Sequence, residues 1–185
     1  MIRSAALLMG EHGVEATSFS RVLEHSGAPR GSIYHHFPAG KAQLIEEATR
    51  YTGALLAAAL TAALEQEDPL AGLDVTAEFW RASLRDTDFA AGCPVVAATV
   101  EGENTPAARD AADEAFQSWE QLHAANLRRH GIAEDRARSL ATLIVAAIEG
   151  AIILARAERS SRPLERVVDE LHTLLRDVFR HRRAN

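Results

Sequence analysis

The stretch Ser26-Gly27-Ala28-Pro29-Arg30-Gly31-Ser32-Ile33-Tyr34-His35-His36-Phe37-Pro38-Ala39-Gly40-Lys41 decides the fold of this chain. Gly27 ends one helix, and Pro29 opens the next, where a missing N–H leaves nothing unsatisfied. The residues that follow predict a short helix from Pro29 to Phe37 whose outward side chains are Arg30, Ser32, Tyr34, His35 and His36. Such groups donate to phosphates and to base edges. Ile33 and Phe37 are four apart and share a face, so they anchor the helix to what lies beneath it. From His25 to Ile45 there is no Asp or Glu, while Arg30 and Lys41 are present, in a chain of net charge −6. The pattern is that of the turn and second helix of a helix-turn-helix, which lays a helix in the DNA major groove.

Working outward, a first helix is predicted over Ile2 to His12, stopping at Gly13. Thr17 or Ser18 can cap a second, with Phe19, Val22 and Leu23 turned inward. After the short helix, Lys41 starts another that runs to Arg50 with Leu44 and Ile45 inward, and a further helix is expected over Tyr51 to Glu65. Asp68-Pro69 begins the next, Leu70 to Leu84, followed by an irregular link from Asp86 to Pro94. Helices at 95–102, 106–130, 134–158 and 163–180 are separated by Asn104-Thr105-Pro106, His130-Gly131 and Ser160-Ser161-Arg162-Pro163.

Hydrophobic residues make up 47% of the chain but aromatic ones only 5%, and alanine is abundant, which favours helices over strands. The expected class is all-α: a helix-turn-helix domain over residues 1–45 and a helical domain over 46–185. The single cysteine, Cys93, excludes an internal disulfide and suits a reducing cytoplasm. No signal peptide is read at the N-terminus. Residues 140–155 are strongly apolar, but they are too short for a hydrocarbon core and carry Glu149 at their centre. We therefore expect no membrane partner and a helix with neighbours all round. Residues 1–50 are charge-neutral, so the remainder carries the whole −6. That balance disfavours non-specific nucleic-acid binding but not a local contact surface.

In these motifs the chain resembles the tetracycline-repressor (TetR/AcrR) family of transcriptional regulators. Thr17 opens the second helix, Gly27 makes the turn, Gly31-Ser32-Ile33-Tyr34-His35-His36-Phe37 follows, and Lys41 opens the fourth helix. The Phe37-to-Lys41 spacing is one residue longer than the commonest, which is similar to the LmrA/YxaF-like branch, as is Gly92-Cys93-Pro94. The resemblance implies a repressor that binds a palindromic double-stranded DNA operator as a homodimer and is released by a small apolar effector. It implies that Arg30, Ser32 and Tyr34 read bases, that Thr17, His36 and Lys41 hold phosphates, and that Gly31 lets the backbone approach the DNA. Ser18 and His35 complete the DNA-binding set.

For the effector, the resemblance points to a pocket in the segment carrying Phe79, Trp80, Phe89, Cys93, Phe116, Trp119 and His123; Trp119 and His123 are four apart and share a face. For the dimer it points to the last two helices, through Ala147, Ile148, Ala151 and Ile152 on one and Val167, Leu171, Leu174 and Val178 on the other. Packing within one chain is the competing reading of these faces. His35 and His36 have no cysteine or acid nearby to complete a metal site, and no cofactor is expected. No Ser-His-Asp order, carboxylate pair or phosphate loop supports catalysis. The alternative is a helical protein of the same fold without a DNA-binding role, an enzyme or a protein-interaction module.

Overall fold

The computed structural model describes residues 1–101 and 105–183, with side chains as far as residue 180, so Asn104 lies outside the described residues. Among the described residues the chain is all-α. Its helices are α1 (Ile2–Ala16), α2 (Phe19–Ser26), α3 (Arg30–His36), α4 (Lys41–Ala63), α5 (Ala71–Asp86), α6 (Pro94–Val100), α7 (Pro106–Arg129), α8 (Glu134–Glu158) and α9 (Arg162–Arg183). They form two compact units, Met1–Leu55 with Ala90–Phe116, and Leu56–Phe89 with Gln117 onward. The boundary expected after residue 45 falls inside α4, and 90–116 folds in the same unit as α1–α3.

In the first unit, α1 packs against α6 and α2, and α2 against α3. Its core includes Ala5, Met9, Val14, Val22, Ile33, Leu44, Ile45, Val95 and Ala98, each at most 1% exposed. Ser18 caps α2, its Oγ accepting the Arg21 N–H at 3.3 Å, and Gly27 closes the helix at φ 68 with its N–H on the Leu23 carbonyl. Pro29 stands one position before α3, with extended geometry, rather than as its first helical residue.

Two expectations are corrected here. The first helix does not stop at Gly13 but breaks there, at φ 84 and ψ 173, and makes a further turn to Ala16. The expected junction between Arg50 and Tyr51 is absent, because α4 runs through it. Thr49 and Thr52 return their hydroxyls to the Ile45 and Ala48 carbonyls. Gly53 is buried against Ala115, and a Cβ on it would crowd that methyl at 2.7 Å, so α4 and α7 approach closely at that point.

In the second unit, α8 packs against α9 and α5, and α5 also packs on α9. Leu140, Ile144, Ile148, Ile152 and Ala155 line the buried face of α8. The Arg81 guanidinium spans two 2.8 Å bonds to both Glu165 oxygens, tying α5 to α9, and a 2.6 Å bond to Glu78. These partners hold Arg81 above its ordinary pKa and Glu165 below its own. The expectation that α8 has neighbours all round is not met within the chain: Leu143 is 44% exposed, Ile153 58% and Leu154 55%.

Candidate DNA-contact face and buried polar site

Local chemistry builds the α3 face. Ile33 is fully buried and Phe37 nearly so, which fixes the helix and turns its other side outward. Arg30, Gly31, Tyr34, His35 and His36 are exposed. Tyr34 is 70% exposed while its ring rests edge-on against Phe19, centroids 5.6 Å apart, so it projects from a firm support. Arg30 has no ion-pair partner among the described residues, leaving its five donors free. A Cβ on Gly31 would meet nothing within 4 Å, so another molecule's backbone can come close there.

Other residues of the set are placed differently. Ser32 is half-buried and its hydroxyl is already donated to the Pro29 carbonyl at 2.6 Å. Thr17 is fully buried, and its hydroxyl is spent on the Gly13 carbonyl at 2.8 Å. Its part here is to hold the bend into α2. Ser18 is occupied as the α2 cap. Lys41 Nζ bonds the Glu15 carbonyl at 2.9 Å and lies 4.0 Å from the Glu15 carboxylate, so a phosphate would share this ammonium with Glu15. The face is also less free of acids than the sequence run: Glu24 lines a groove of about 660 Å³ together with Phe19, Ser20, Leu23, Arg30 and Tyr34.

The effector candidates divide between the units. Cys93, which is buried, and Phe116 belong to the first; Phe79, Trp80, Phe89, Trp119 and His123 belong to the second. Within the second, Phe79 and Trp80 meet edge-on at 5.1 Å. Phe89 sits at φ 63 and closes α5 through its N–H to Leu84, a position that usually falls to glycine.

Trp80, Trp119 and His123 are all at most 3% exposed. Thr76, one turn before Trp80, donates its hydroxyl to the Gly72 carbonyl at 2.9 Å and lies 3.2 Å from His123 Nε2. A hydroxyl has one proton, so His123 must donate Nε2–H to Thr76 and keep Nδ1 as an acceptor. Burial pushes His123 down to about 4, leaving it neutral.

Asn126, three residues further along α7, gives Nδ2 to the Pro69 carbonyl at 2.8 Å. Two polar atoms stay unmatched at this buried row, Trp80 Nε1 as donor and Asn126 Oδ1 as acceptor. Sequence reasoning missed Thr76 and Asn126, since only the pairing of α5 with α7 reveals them. A separate surface cavity of about 440 Å³, lined by Gln117, Glu120, Gln121, Arg128 and Arg138, holds none of the aromatic candidates.

Of the eight residues expected at a dimer seam, Ile148, Ala151, Ile152 and Leu171 are buried within the chain, while Ala147, Val167, Leu174 and Val178 are half-buried. The apolar groups left on the α8 surface are others: Leu143, Ile153 and Leu154, with exposed Ala146 and Gly150 between them and Ala157 just beyond.

Known proteins carry the same arrangement. The family model described as bacterial regulatory proteins, tetR family, matches residues 1–48, and that of the transcriptional regulator LmrA/YxaF-like C-terminal domain matches 69–170. An uncharacterised HTH-type transcriptional regulator of Mycobacterium tuberculosis is 45% identical over 181 residues, 95% of this chain and 92% of that protein. The HTH-type transcriptional regulator LmrA of Bacillus subtilis is 30% identical, with 95% of each chain covered. In fold, the regulatory protein TetR from Rhodobacter sphaeroides superposes with a TM-score of 0.82 at 24% identity, over 92% of this chain and 94% of that one. A helix-turn-helix whose α3 stands on Ile33 and Phe37, followed by a helical domain of this type along the matched length, places the chain in the TetR family of bacterial transcriptional regulators, in its LmrA/YxaF-like branch.

Proposed function

We propose that the protein is a ligand-responsive repressor that binds a palindromic operator as a homodimer in the cytoplasm, with residues 1–45 contacting DNA and residues 46–185 serving effector binding and dimerisation. The observation that carries this reading is the α3 face: Arg30, Tyr34, His35 and His36 project from a helix whose opposite side is anchored by Ile33 and Phe37. Arg30 is the base reader, bidentate to guanine O6 and N7, a contact worth about 1–3 kcal/mol of discrimination. Tyr34 contacts a base or sugar, while His36 and Lys41 hold phosphates.

One α3 reads too few base pairs for an operator. Two copies related by a two-fold axis place their α3 helices about 34 Å apart, in successive major grooves. The exposed α8 stripe of Leu143, Ile153 and Leu154, with small residues that allow close approach, supports the pairing of subunits, together with the half-buried Val167, Leu174 and Val178 of α9.

The effector docks at the buried row of Trp80, Trp119 and His123, joined by Thr76 and Asn126. It is largely apolar and uncharged, because no cation stands in that row to hold an anion and His123 is neutral. It presents an acceptor to Trp80 Nε1 and a donor to Asn126 Oδ1. Release of DNA requires that the effector bind one conformation better than the other, by several kcal/mol for a full switch.

The test is fluorescence anisotropy on the palindrome nearest the gene, across a salt series. Phosphate contacts predict affinity that falls steeply with salt. Arg30→Ala is expected to weaken binding by about tenfold or more while the fold is kept. Unchanged affinity in a folded Arg30→Ala protein would overturn the assignment of α3 as the reading helix.

A further inference from the structure

We propose that α6 sets the position of the DNA-reading helices by bracketing the break in α1, and that Glu101 is the positioning residue of this clasp. A break in a helix strands backbone groups on both sides: carbonyls before it lose their donors, and N–H groups after it lose their acceptors. Here both sides are answered from one distant segment. Before the break, the Gly10 carbonyl accepts the Gly92 N–H at 2.8 Å, just upstream of α6. After it, the Glu15 N–H is accepted by Glu101 Oε2 at 3.0 Å, across 86 residues of sequence.

The Glu101 carboxylate thus caps the short turn Val14–Ala16 from another element, as an acid caps a helix start, and with the added strength of a charged acceptor. Both contacts need glycine. A Cβ on Gly10 would run into the Gly92 carbonyl, and one on Gly13 would overlap the Glu101 carboxylate. Gly13 also holds φ 84, so the bend and the seat for Glu101 are one feature.

What this clasp fixes is the entry to α2. The backbone of Glu15 is held on both sides, its N–H by Glu101 and its carbonyl by Lys41 Nζ at 2.9 Å. Two residues on, Thr17 is locked inside by its bond to the Gly13 carbonyl, and Ser18 then caps α2. The direction in which α2 leaves α1, and with it the seat of α3 on α2, follows from a turn whose Glu15 N–H is accepted by the Glu101 carboxylate. Without that carboxylate the turn samples other arrangements, and DNA affinity falls in proportion to the fraction still competent. Glu101 itself touches no DNA; it acts through α1.

This inference rests on the DNA-binding reading above, so the experiment has one arm that does not. Amide hydrogen exchange of the unbound wild type reads the clasp directly: the Glu15 N–H is expected to be protected, and exchange at the rate of an open peptide would overturn the proposal even if DNA binding fails. In the second arm, operator affinity is measured for Glu101→Ala and Glu101→Gln at a temperature where both are fully folded by circular dichroism. Gln keeps an acceptor oxygen, so Glu101→Ala should lose about tenfold in affinity and Glu101→Gln no more than about threefold. Wild-type affinity in folded Glu101→Ala overturns the proposal, and so does an equal loss in a second-unit variant of matched stability. A wild type that shows Glu15 protection but no operator binding refutes the DNA reading and leaves the clasp standing.

Discussion

Lowering the pH should destabilise this protein through one buried imidazole, and the size of the effect follows from its surroundings. His123 is 3% exposed and donates Nε2–H to Thr76, and burial holds it at about 4 rather than its ordinary 6.5. The folded state therefore refuses a proton that the unfolded chain accepts. The stability due to the neutral ring is fully present above pH 6.5, is lost as the pH falls below that value, and stops changing below about 4. Across the whole interval this amounts to about 3 kcal/mol, and between pH 7.5 and pH 5 to about 2 kcal/mol.

The perturbation that isolates it is His123→Gln, whose amide nitrogen takes the place of Nε2 and can still donate to Thr76. Urea unfolding followed by circular dichroism, at fixed protein concentration and at both pH values, gives four free energies. The wild type should lose about 2 kcal/mol more than the variant on acidification. The chain's other seven histidines are common to both proteins, so the comparison isolates His123. The absolute stability of the variant does not enter, only its slope. Equal pH dependence in the two proteins would show that His123 is protonated or exposed in the folded state, and the buried polar row would have to be abandoned.

Replacing Leu154 with Glu puts a charge on the exposed α8 stripe and should convert dimer to monomer in sedimentation equilibrium with the helical content unchanged; a Leu154→Glu dimer of wild-type affinity would refute the α8 seam. Arg81→Met removes the fork to Glu165 and the bond to Glu78, carboxylates that are 41% and 59% exposed, so the cost should be only about 1 kcal/mol in urea unfolding and should shrink in high salt. The bound carboxylate of Glu165 titrates below its ordinary value, so this contribution is present at neutral pH and disappears as the pH falls through that depressed value. A loss that does not change with salt would point to packing of the Arg81 stem instead.

Features set by neighbouring residues were legible in the sequence, and those set by distant ones were not. The turn at Gly27 and a cap at Thr17 or Ser18 follow from the chemistry of a few adjacent residues, the structure choosing Ser18, and α8 begins and ends within the limits marked by Gly131 and Ser160. Ile33 and Phe37 could be assigned to the core because their four-residue spacing puts them on one apolar face of α3 and its C-cap. On α8 that logic fails. Apolar residues occur all round it, so the pattern cannot say which belong to the subunit core: Ile148, Ala151 and Ile152 are taken by the core, and Leu143, Ile153 and Leu154 are left outside. Likewise, a threonine at 17 reads as a phosphate ligand until the bend at Gly13 turns its hydroxyl inward.

The same distinction bears on how a regulator of this kind can change partners without changing its DNA contacts. Arg30 and Tyr34 depend for their direction on α3, α3 on Ile33 and Phe37, and the entry to α2 on a turn whose stranded N–H is closed by Glu101. None of these supports involves the polar row of Thr76, His123 and Asn126, which belongs to the other compact unit. Substitutions at Trp80 or Asn126 should therefore alter which compound is bound while leaving operator affinity in its absence untouched. Substitutions at Gly13 or Glu101 should do the reverse. On the proposed assignment, reading and sensing would rest on separate sets of residues, while α4 and α7 run through both units.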